Sequence, residues 1–159
     1  MLRNVAAASK DLLKWKIAHG GPAGPGELGD PVAGEATLGI CLYDASAAAQ
    51  PLYAGAIAFG GSCAGKPCWK ALEDGGYRYK NKAGTPNGFT DVKLRPGASG
   101  ELGLVVKGKG GALAPPSLGL ATPVRLQLVL TDGVGTICWE SRFTSAAKNA
   151  TAVFRANGS

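Results

Sequence analysis

Alternation of apolar and polar residues is the dominant pattern along this chain. In its clearest run, Val124, Leu126, Leu128 and Leu130 alternate with more polar neighbours such as Arg125. A period of two places successive side chains on opposite faces of a β-strand. Similar runs recur between segments rich in the 25 Gly and 10 Pro residues. The pattern predicts an all-β protein, an antiparallel β-sandwich of roughly nine or ten strands with little helix.

The length of 159 residues favours a single domain. We expect residues 1–11 to form an N-terminal tail or a short helix, because Leu2 to Leu12 is the only helix candidate. Residues 12–159 are then one β-sandwich domain, since no linker divides them.

The first alternating run is also a candidate donor strand. Leu13, Trp15 and Ile17 share one face of it, and the Gly-rich loop from Gly20 to Gly26 follows. Such a loop would let the strand pair either with its own sheet or with another copy of the chain. The sequence does not choose between these two pairings.

Four cysteines in β-rich sequence indicate disulfides and an oxidising compartment. Cys63 and Cys68 are close together around Gly65 and Pro67, whereas Cys41 and Cys138 are isolated in separate strands. The preferred pairing is Cys63–Cys68 and Cys41–Cys138. For the second pair, both residues occupy the less apolar face of their strands, and adjacent strands would bring them within bridging distance.

Aromatic residues provide the strongest sign of a binding site. Trp69, Tyr77 and Tyr79 fall together on a predicted hairpin, among Lys70 and other cations. Exposed aromatic rings would stack on a glycan, and they also stack on single-stranded nucleic acid. The same alternation is equally typical of the core face of a hairpin.

Net charge bears on the partners. Seventeen Lys and Arg against eleven Asp and Glu give +6, which favours acidic partners such as nucleic acid, anionic glycans or lipid headgroups. These charges are scattered along the sequence, which favours an ordinary solvated surface. We expect no specific nucleic acid and no membrane span, because no apolar run approaches about 18 residues.

The sequence presents no catalytic motif. His19 is the only histidine, and Gly60-Gly-Ser62-Cys-Ala64 departs from the nucleophile elbow at its last position. The cysteine spacing does not fit a zinc site. We therefore expect no enzyme activity, no cofactor and no metal, although distant carboxylates could still converge in a hydrolase.

Eight short motifs resemble a group of uncharacterised β-rich modules in predicted secreted bacterial proteins. They are Lys14-Trp-Lys-Ile, Gly29-Asp-Pro31, Leu42-Tyr-Asp44, Gly65-Lys-Pro-Cys-Trp69, Tyr77-Arg-Tyr-Lys80, Lys107-Gly-Lys-Gly110, Pro123-Val-Arg-Leu-Gln127 and Cys138-Trp-Glu140. The resemblance implies a part of a larger extracellular protein and brings no activity or catalytic residue with it.

The function expected from the sequence is a non-catalytic structural or adhesive module, outside the cell or on its surface. It would assemble with copies of itself or with other extracellular proteins by strand addition. The alternative is a carbohydrate-binding module that uses the exposed aromatic residues. Residues 1–8 lack the apolar core of an export signal, so either a leader has been removed or the chain is one piece of a longer secreted protein, and we expect the second.

Overall fold

A computed structural model describes residues 1–34, 36–46, 49–98, 101–132 and 135–157. Within these ranges the chain is all-β, with 14 strands and no helix of seven or more residues, which confirms the predicted class. The strands are β1 Leu2–Arg3, β2 Leu12–Gly20, β3 Thr37–Tyr43, β4 Tyr53–Ala58, β5 Ser62–Cys63, β6 Lys66–Pro67, β7 Trp69–Ala71, β8 Tyr77–Lys80, β9 Phe89–Arg95, β10 Leu102–Lys109, β11 Val124–Thr131, β12 Thr136–Phe143, β13 Lys148–Ala150 and β14 Val153–Arg155. Three short 3₁₀ helices cover Ala8–Lys10, Pro25–Leu28 and Gly111–Leu113.

The strands form two large antiparallel sheets. The larger sheet has the order β13-β14-β1-β2-β10-β9-β8-β7, and the smaller has the order β12-β11-β3-β4. Strands β5 and β6 pair only with each other. The extra strands beyond the nine or ten expected are short, and two-residue strands such as β1 carry too few residues to show a period in the sequence.

Apolar side chains from both sheets form one hydrophobic cluster. The indole Nε1 of Trp15, on the larger sheet, donates a hydrogen bond of 3.0 Å to Ser141 Oγ on the smaller sheet. Phe143 and Phe154 meet edge to face across the same interface, with ring centroids 6.4 Å apart. These contacts show that the two sheets pack face to face, as in a sandwich.

The N-terminal segment 1–11 includes both a strand and a turn of helix. Leu2 in β1 is only 5% exposed and belongs to the core cluster. The carboxylate of buried Asp11 accepts a hydrogen bond from the amide of Val5, which holds the intervening loop. Asp-Gly is a typical hairpin turn, and the sequence predicts one at Asp132–Gly133, but Gly133 lies outside the described residues.

Candidate functional site

The predicted aromatic platform lies in the core, so that interpretation of the three residues is wrong. Trp69 is 1% exposed and Tyr79 is 6% exposed, and their ring centroids are 5.3 Å apart. Tyr77 is partly buried and packs against the same cluster. The hairpin β7–β8 turns these rings inward and Lys70, Arg78 and Lys80 outward, because neighbours in a strand point to opposite faces. The buried rings of Trp69 and Tyr79 are therefore not available to stack on a sugar.

The short disulfide is confirmed. Cys63 and Cys68 are bonded, with Cα atoms 4.9 Å apart. Strands β5 and β6 form the hairpin that holds them, and its two turn residues, Ala64 and Gly65, have φ values of 54° and 77°. Two consecutive positive φ values are typical of a type I′ turn, which suits a two-residue hairpin.

The predicted Cys41–Cys138 bridge is wrong, because both cysteines are free thiols in the structure. Cys41 in β3 lies opposite Gln127, whereas Cys138 in β12 lies opposite Val129 on the other side of β11. The two cysteines share the outer face, as expected, but strand β11 separates them. Two strand spacings place their Cα atoms at least about 10 Å apart, and a disulfide requires less than about 7 Å.

The outer face around these thiols disfavours negative charge. The pKa of Cys138 is raised, first by desolvation and then by the Glu140 carboxylate and Cys41. The pKa of Tyr43 is also raised, mainly by desolvation and further by Cys41. Both groups therefore remain protonated at neutral pH, so Cys138 is a weaker nucleophile than an ordinary exposed thiol.

The predicted donor strand β2 is paired inside its own chain. It runs antiparallel to β10 from Leu12 to Gly20, and its first residues also pair with β1. Leu13 and Trp15 are buried, and Ile17 packs against the core cluster. Exchange of this strand between copies would require the larger sheet to open at its centre, so an edge strand is a better site for strand addition.

The smaller sheet has two long edges, and side chains cap one of them. Along edge strand β4, the carbonyl of Ala58 accepts a hydrogen bond from Trp69 Nε1 at 3.0 Å. The carbonyl of Ala56 accepts one from Asn87 Nδ2 at 2.7 Å. These side chains occupy the backbone acceptors that another strand would need, which protects the edge from further pairing.

At the opposite edge, no strand in the described part of the chain pairs with the outer side of β12. It pairs with β11 residue by residue from Thr136 to Phe143, and it ends the strand order. Hydrogen-bonded and non-bonded pairs alternate in an antiparallel ladder. The amide of Asp132 donates to the carbonyl of Gly135, so these two residues form a hydrogen-bonded pair. Every second residue after Gly135 then bonds to β11 as well, and these residues are Ile137, Trp139 and Ser141.

Four residues of β12 consequently direct their N–H and C=O groups away from β11: Thr136, Cys138, Glu140 and Arg142. The same alternation of hydrogen-bonded pairs applies to the β11–β3 and β3–β4 ladders. It predicts that the carbonyls of Ala56 and Ala58 in β4 point away from β3. Trp69 and Asn87 donate to these two carbonyls, so an independent set of contacts supports the assignment. No described strand pairs with the outer side of β12.

The side chains of β12 leave this edge accessible. Ile137 is 36% exposed, and the strand contains exposed Glu140 and Arg142 in alternating positions. Sequence reasoning identified β12 as a strand but missed that it lies at an edge. Its mixed polarity was the available signal, but strand order decides whether such a strand is central or terminal.

Buried polar side chains elsewhere form hydrogen bonds with the backbone of loops. Asp44 accepts hydrogen bonds from the amides of Ser46 and Ala121, and Asn81 donates to the carbonyl of Thr85. Within the described residues, no three side chains of His, Cys, Asp or Glu are grouped as metal ligands. None of the described helices is long and apolar enough to cross a membrane.

Comparison with family models, with curated proteins and with solved structures finds no match to this chain. The features on which a function can be proposed are therefore the all-β fold, the Cys63–Cys68 disulfide and the contrast between the two edges of the smaller sheet.

Proposed function

We propose that this chain is a non-catalytic structural or adhesive module that assembles outside the cell by strand addition at β12. The observation that carries the proposal is the asymmetry of the smaller sheet, in which Trp69 and Asn87 cap the β4 edge, whereas among the described residues no strand covers the β12 edge. A long uncapped edge is a template for pairing with another strand. The Cys63–Cys68 disulfide supports an oxidising compartment.

The proposed occupant of the edge is β12 of a second copy, in antiparallel orientation. A twofold axis near Ser141 would place Glu140 opposite Arg142 of the second copy, and Arg142 opposite Glu140 of that copy. The alternating charges are thus complementary to themselves, as an isologous interface requires. Opposite charges on facing residues stabilise a strand pair, and each backbone pair adds two hydrogen bonds.

Pairing of this kind joins the two smaller sheets into one continuous sheet. It leaves the Cys63–Cys68 hairpin and the larger sheet unchanged, because neither contributes to the β12 edge. Since β4 is capped, growth stops when the two open edges have met. The expected assembly is therefore a dimer.

The test places proline on each edge in turn. Glu140→Pro removes an N–H that faces away from β11, so the strand keeps its intramolecular bonds but loses a donor at the interface. Ala54→Pro is the matched control on the β4 edge, where the N–H of residue 54 also faces outward. Sedimentation velocity across a wide concentration range should show a dimer for the unmodified chain and for Ala54→Pro, and a monomer for Glu140→Pro.

The variant Glu140→Ala distinguishes the contribution of the backbone to the dimer from that of the side chain. It retains the N–H and removes only the carboxylate, so it should weaken the dimer less than Glu140→Pro does. An unmodified chain that remains monomeric throughout the concentration range would overturn the proposal. So would equal loss of the dimer in Glu140→Pro and Ala54→Pro, because the effect would then not be specific to β12.

A further inference from the structure

The cations that are scattered along the sequence meet on the outer face of the larger sheet. Register places Lys14 opposite Lys107, Lys107 opposite Asp91, and Asp91 opposite Lys80. The row continues past Met1, which pairs with Lys14 through its backbone, towards β14 and β13. There Arg155 lies opposite Lys148, and its guanidinium lies 3.8 Å from the sulfur of Met1.

A second row runs beside the first on the same face of the sheet, two residues away along each strand. Lys16 and Lys93 lie on either side of Val105, Lys93 lies opposite Arg78, and Arg78 lies opposite Lys70. We name the two rows together the basic face. Its nine cations are Lys14, Lys16, Lys70, Arg78, Lys80, Lys93, Lys107, Lys148 and Arg155, out of seventeen Lys and Arg in the chain.

Within the two rows, Asp91 is the only acidic residue. It is bound to Arg78 by two hydrogen bonds, of 2.7 and 3.2 Å. This hydrogen-bonded pair raises the pKa of Arg78. Because Asp91 is engaged by Arg78, the lysines on both sides of it have no acidic neighbour of their own in the rows.

The basic face imposes a cost on the fold. Four like-charge pairs face each other on adjacent strands: Lys14 with Lys107, Lys93 with Arg78, Arg78 with Lys70, and Lys148 with Arg155. The Asp91 carboxylate offsets the charge of Arg78 in two of these pairs, so the repulsion is strongest at Lys14–Lys107 and Lys148–Arg155. Like charges in directly opposed positions destabilise a sheet. A bound polyanion would neutralise them all at once, so the arrangement suits binding better than stability.

We propose that the basic face binds an anionic polysaccharide. The first row crosses seven strands, which corresponds to a length of roughly 29 Å at about 4.8 Å per strand. That length exceeds what a small anion would cover and fits an extended polymer. Such a complex does not depend on apolar burial, since regularly spaced cations attract carboxylate or sulfate groups through charge.

Nucleic acid fits the basic face less well. Trp69, Tyr77 and Tyr79 turn away from it, so its two rows offer no aromatic ring on which bases could stack. The face is a sheet surface with no helix or ribbon that would enter a groove of the double helix. The disulfide also favours an extracellular ligand.

A lipid bilayer also fits less well. Stable attachment of a protein to a membrane surface usually combines charge with apolar side chains that enter the acyl boundary. The large apolar residues that are exposed in the described chain, Val32 and Ile137, lie outside the two rows. The basic face therefore supplies charge without an apolar anchor.

The test compares two double variants that remove the same charge. Lys14→Gln/Lys107→Gln removes a facing pair from the first row, and Lys10→Gln/Lys66→Gln removes two exposed cations elsewhere. The probes are a long alginate fraction, neutral dextran of equal length, a DNA duplex and phosphatidylserine vesicles. Isothermal titration calorimetry at several salt concentrations gives the affinity for alginate and its salt dependence.

We expect the unmodified protein to bind alginate and not dextran, with an affinity that falls steeply as salt rises. Lys14→Gln/Lys107→Gln should lower the affinity about tenfold and reduce the salt slope by roughly two, by analogy with about one per phosphate contact in nucleic-acid complexes. Lys10→Gln/Lys66→Gln should retain most of the affinity. Equal losses in both variants, tighter binding of DNA or of vesicles, or no binding of alginate would each overturn the proposal.

The basic face and the β12 edge belong to different sheets, so the two proposals fail separately. The variant Lys14→Gln/Lys107→Gln should form the same dimer as the unmodified chain. Glu140→Pro should bind alginate through one copy's basic face at the intrinsic affinity of a monomer. An unmodified chain that forms the dimer but does not bind alginate would contradict only the polysaccharide proposal.

Discussion

The indole Nε1 of Trp69 donates a hydrogen bond of 3.0 Å to the carbonyl oxygen of Ala58. Trp69 belongs to the larger sheet, and Ala58 ends the edge strand of the smaller one. One side chain thus fills the core between the sheets and also closes an edge that would otherwise be open to pairing. Trp69, which the sequence presents as a candidate ligand-binding residue, instead caps the β4 edge.

Removal of both caps should convert the dimer into longer assemblies. Trp69→Phe keeps an aromatic ring in the core and deletes the N–H that reaches Ala58, and Asn87→Ala deletes the donor to Ala56. In the double variant both edges of the smaller sheet are open, so pairing no longer stops at two copies. Light scattering should detect a continuous rise in mass with concentration. A mass that stays at the dimer value would show that the caps do not limit pairing.

The single variant Trp69→Phe should also be less stable. It leaves the part-buried carbonyl of Ala58 without its donor, which costs about 1 kcal/mol. Urea denaturation followed by far-UV circular dichroism measures the loss. Asn87→Ala is a suitable comparison, because its hydrogen bond to Ala56 lies nearer to solvent and should contribute less to the free energy of unfolding.

The two free cysteines should differ from the disulfide pair in chemical labelling. Non-reduced native protein should contain one disulfide, Cys63–Cys68, and two thiols, Cys41 and Cys138. Because the pKa of Cys138 is raised, its thiolate fraction at neutral pH is small, and its alkylation should be slow and should accelerate as pH rises. Mass spectrometry after timed iodoacetamide treatment checks this. A second disulfide in monomeric protein would contradict the strand order.

Removal of the charge of one lysine on the basic face should stabilise the fold. Lys14→Gln relieves the repulsion with Lys107, and such pairs cost roughly 0.2–1 kcal/mol. We expect a small rise in the melting temperature, which is largest at low salt because salt screens the repulsion. Lys66→Gln, on the β5–β6 hairpin, should leave the melting temperature nearly unchanged. A fall for Lys14→Gln would show that this lysine stabilises the native sheet.

Alkaline pH should destabilise the fold through a half-buried phenol. Desolvation raises the pKa of Tyr53 to about 12, above the ordinary value of 10.0. The folded state therefore holds its proton where the unfolded chain has lost it, so the stabilising contribution is present below pH 10 and is lost as pH rises towards 12. Tyr53→Phe should show a smaller fall in the free energy of unfolding across that range. An unchanged pH profile would contradict the role of Tyr53.

The sequence predicts the local structure well, because alternation depends on adjacent residues. The run Val124 to Leu130 contains its own evidence for β11, and Gly65 marks the hairpin of the short disulfide. The inward direction of Leu13 and Trp15 follows from the same alternation. These features require no knowledge of which strands are neighbours.

The candidate sites could not be predicted because each depends on strand order. Cys41 and Cys138 face the same side, as the sequence implies, but β11 lies between them. Lys14 and Lys107 are 93 positions apart in the numbering and become neighbours only when β2 pairs with β10. Likewise, the sequence of β12 does not reveal that this strand lies at the end of the described strand order.

Amide hydrogen exchange along β12 tests the central claim most directly. In dilute protein, the amides of Ile137, Trp139 and Ser141 should exchange slowly, and those of Cys138, Glu140 and Arg142 should exchange fast. At concentrations at which dimers form, the account predicts that Glu140 and Arg142 become protected while the exposed amide of Ala54 on the β4 edge does not change. Dimers in which Glu140 and Arg142 still exchange fast would contradict strand addition at this edge.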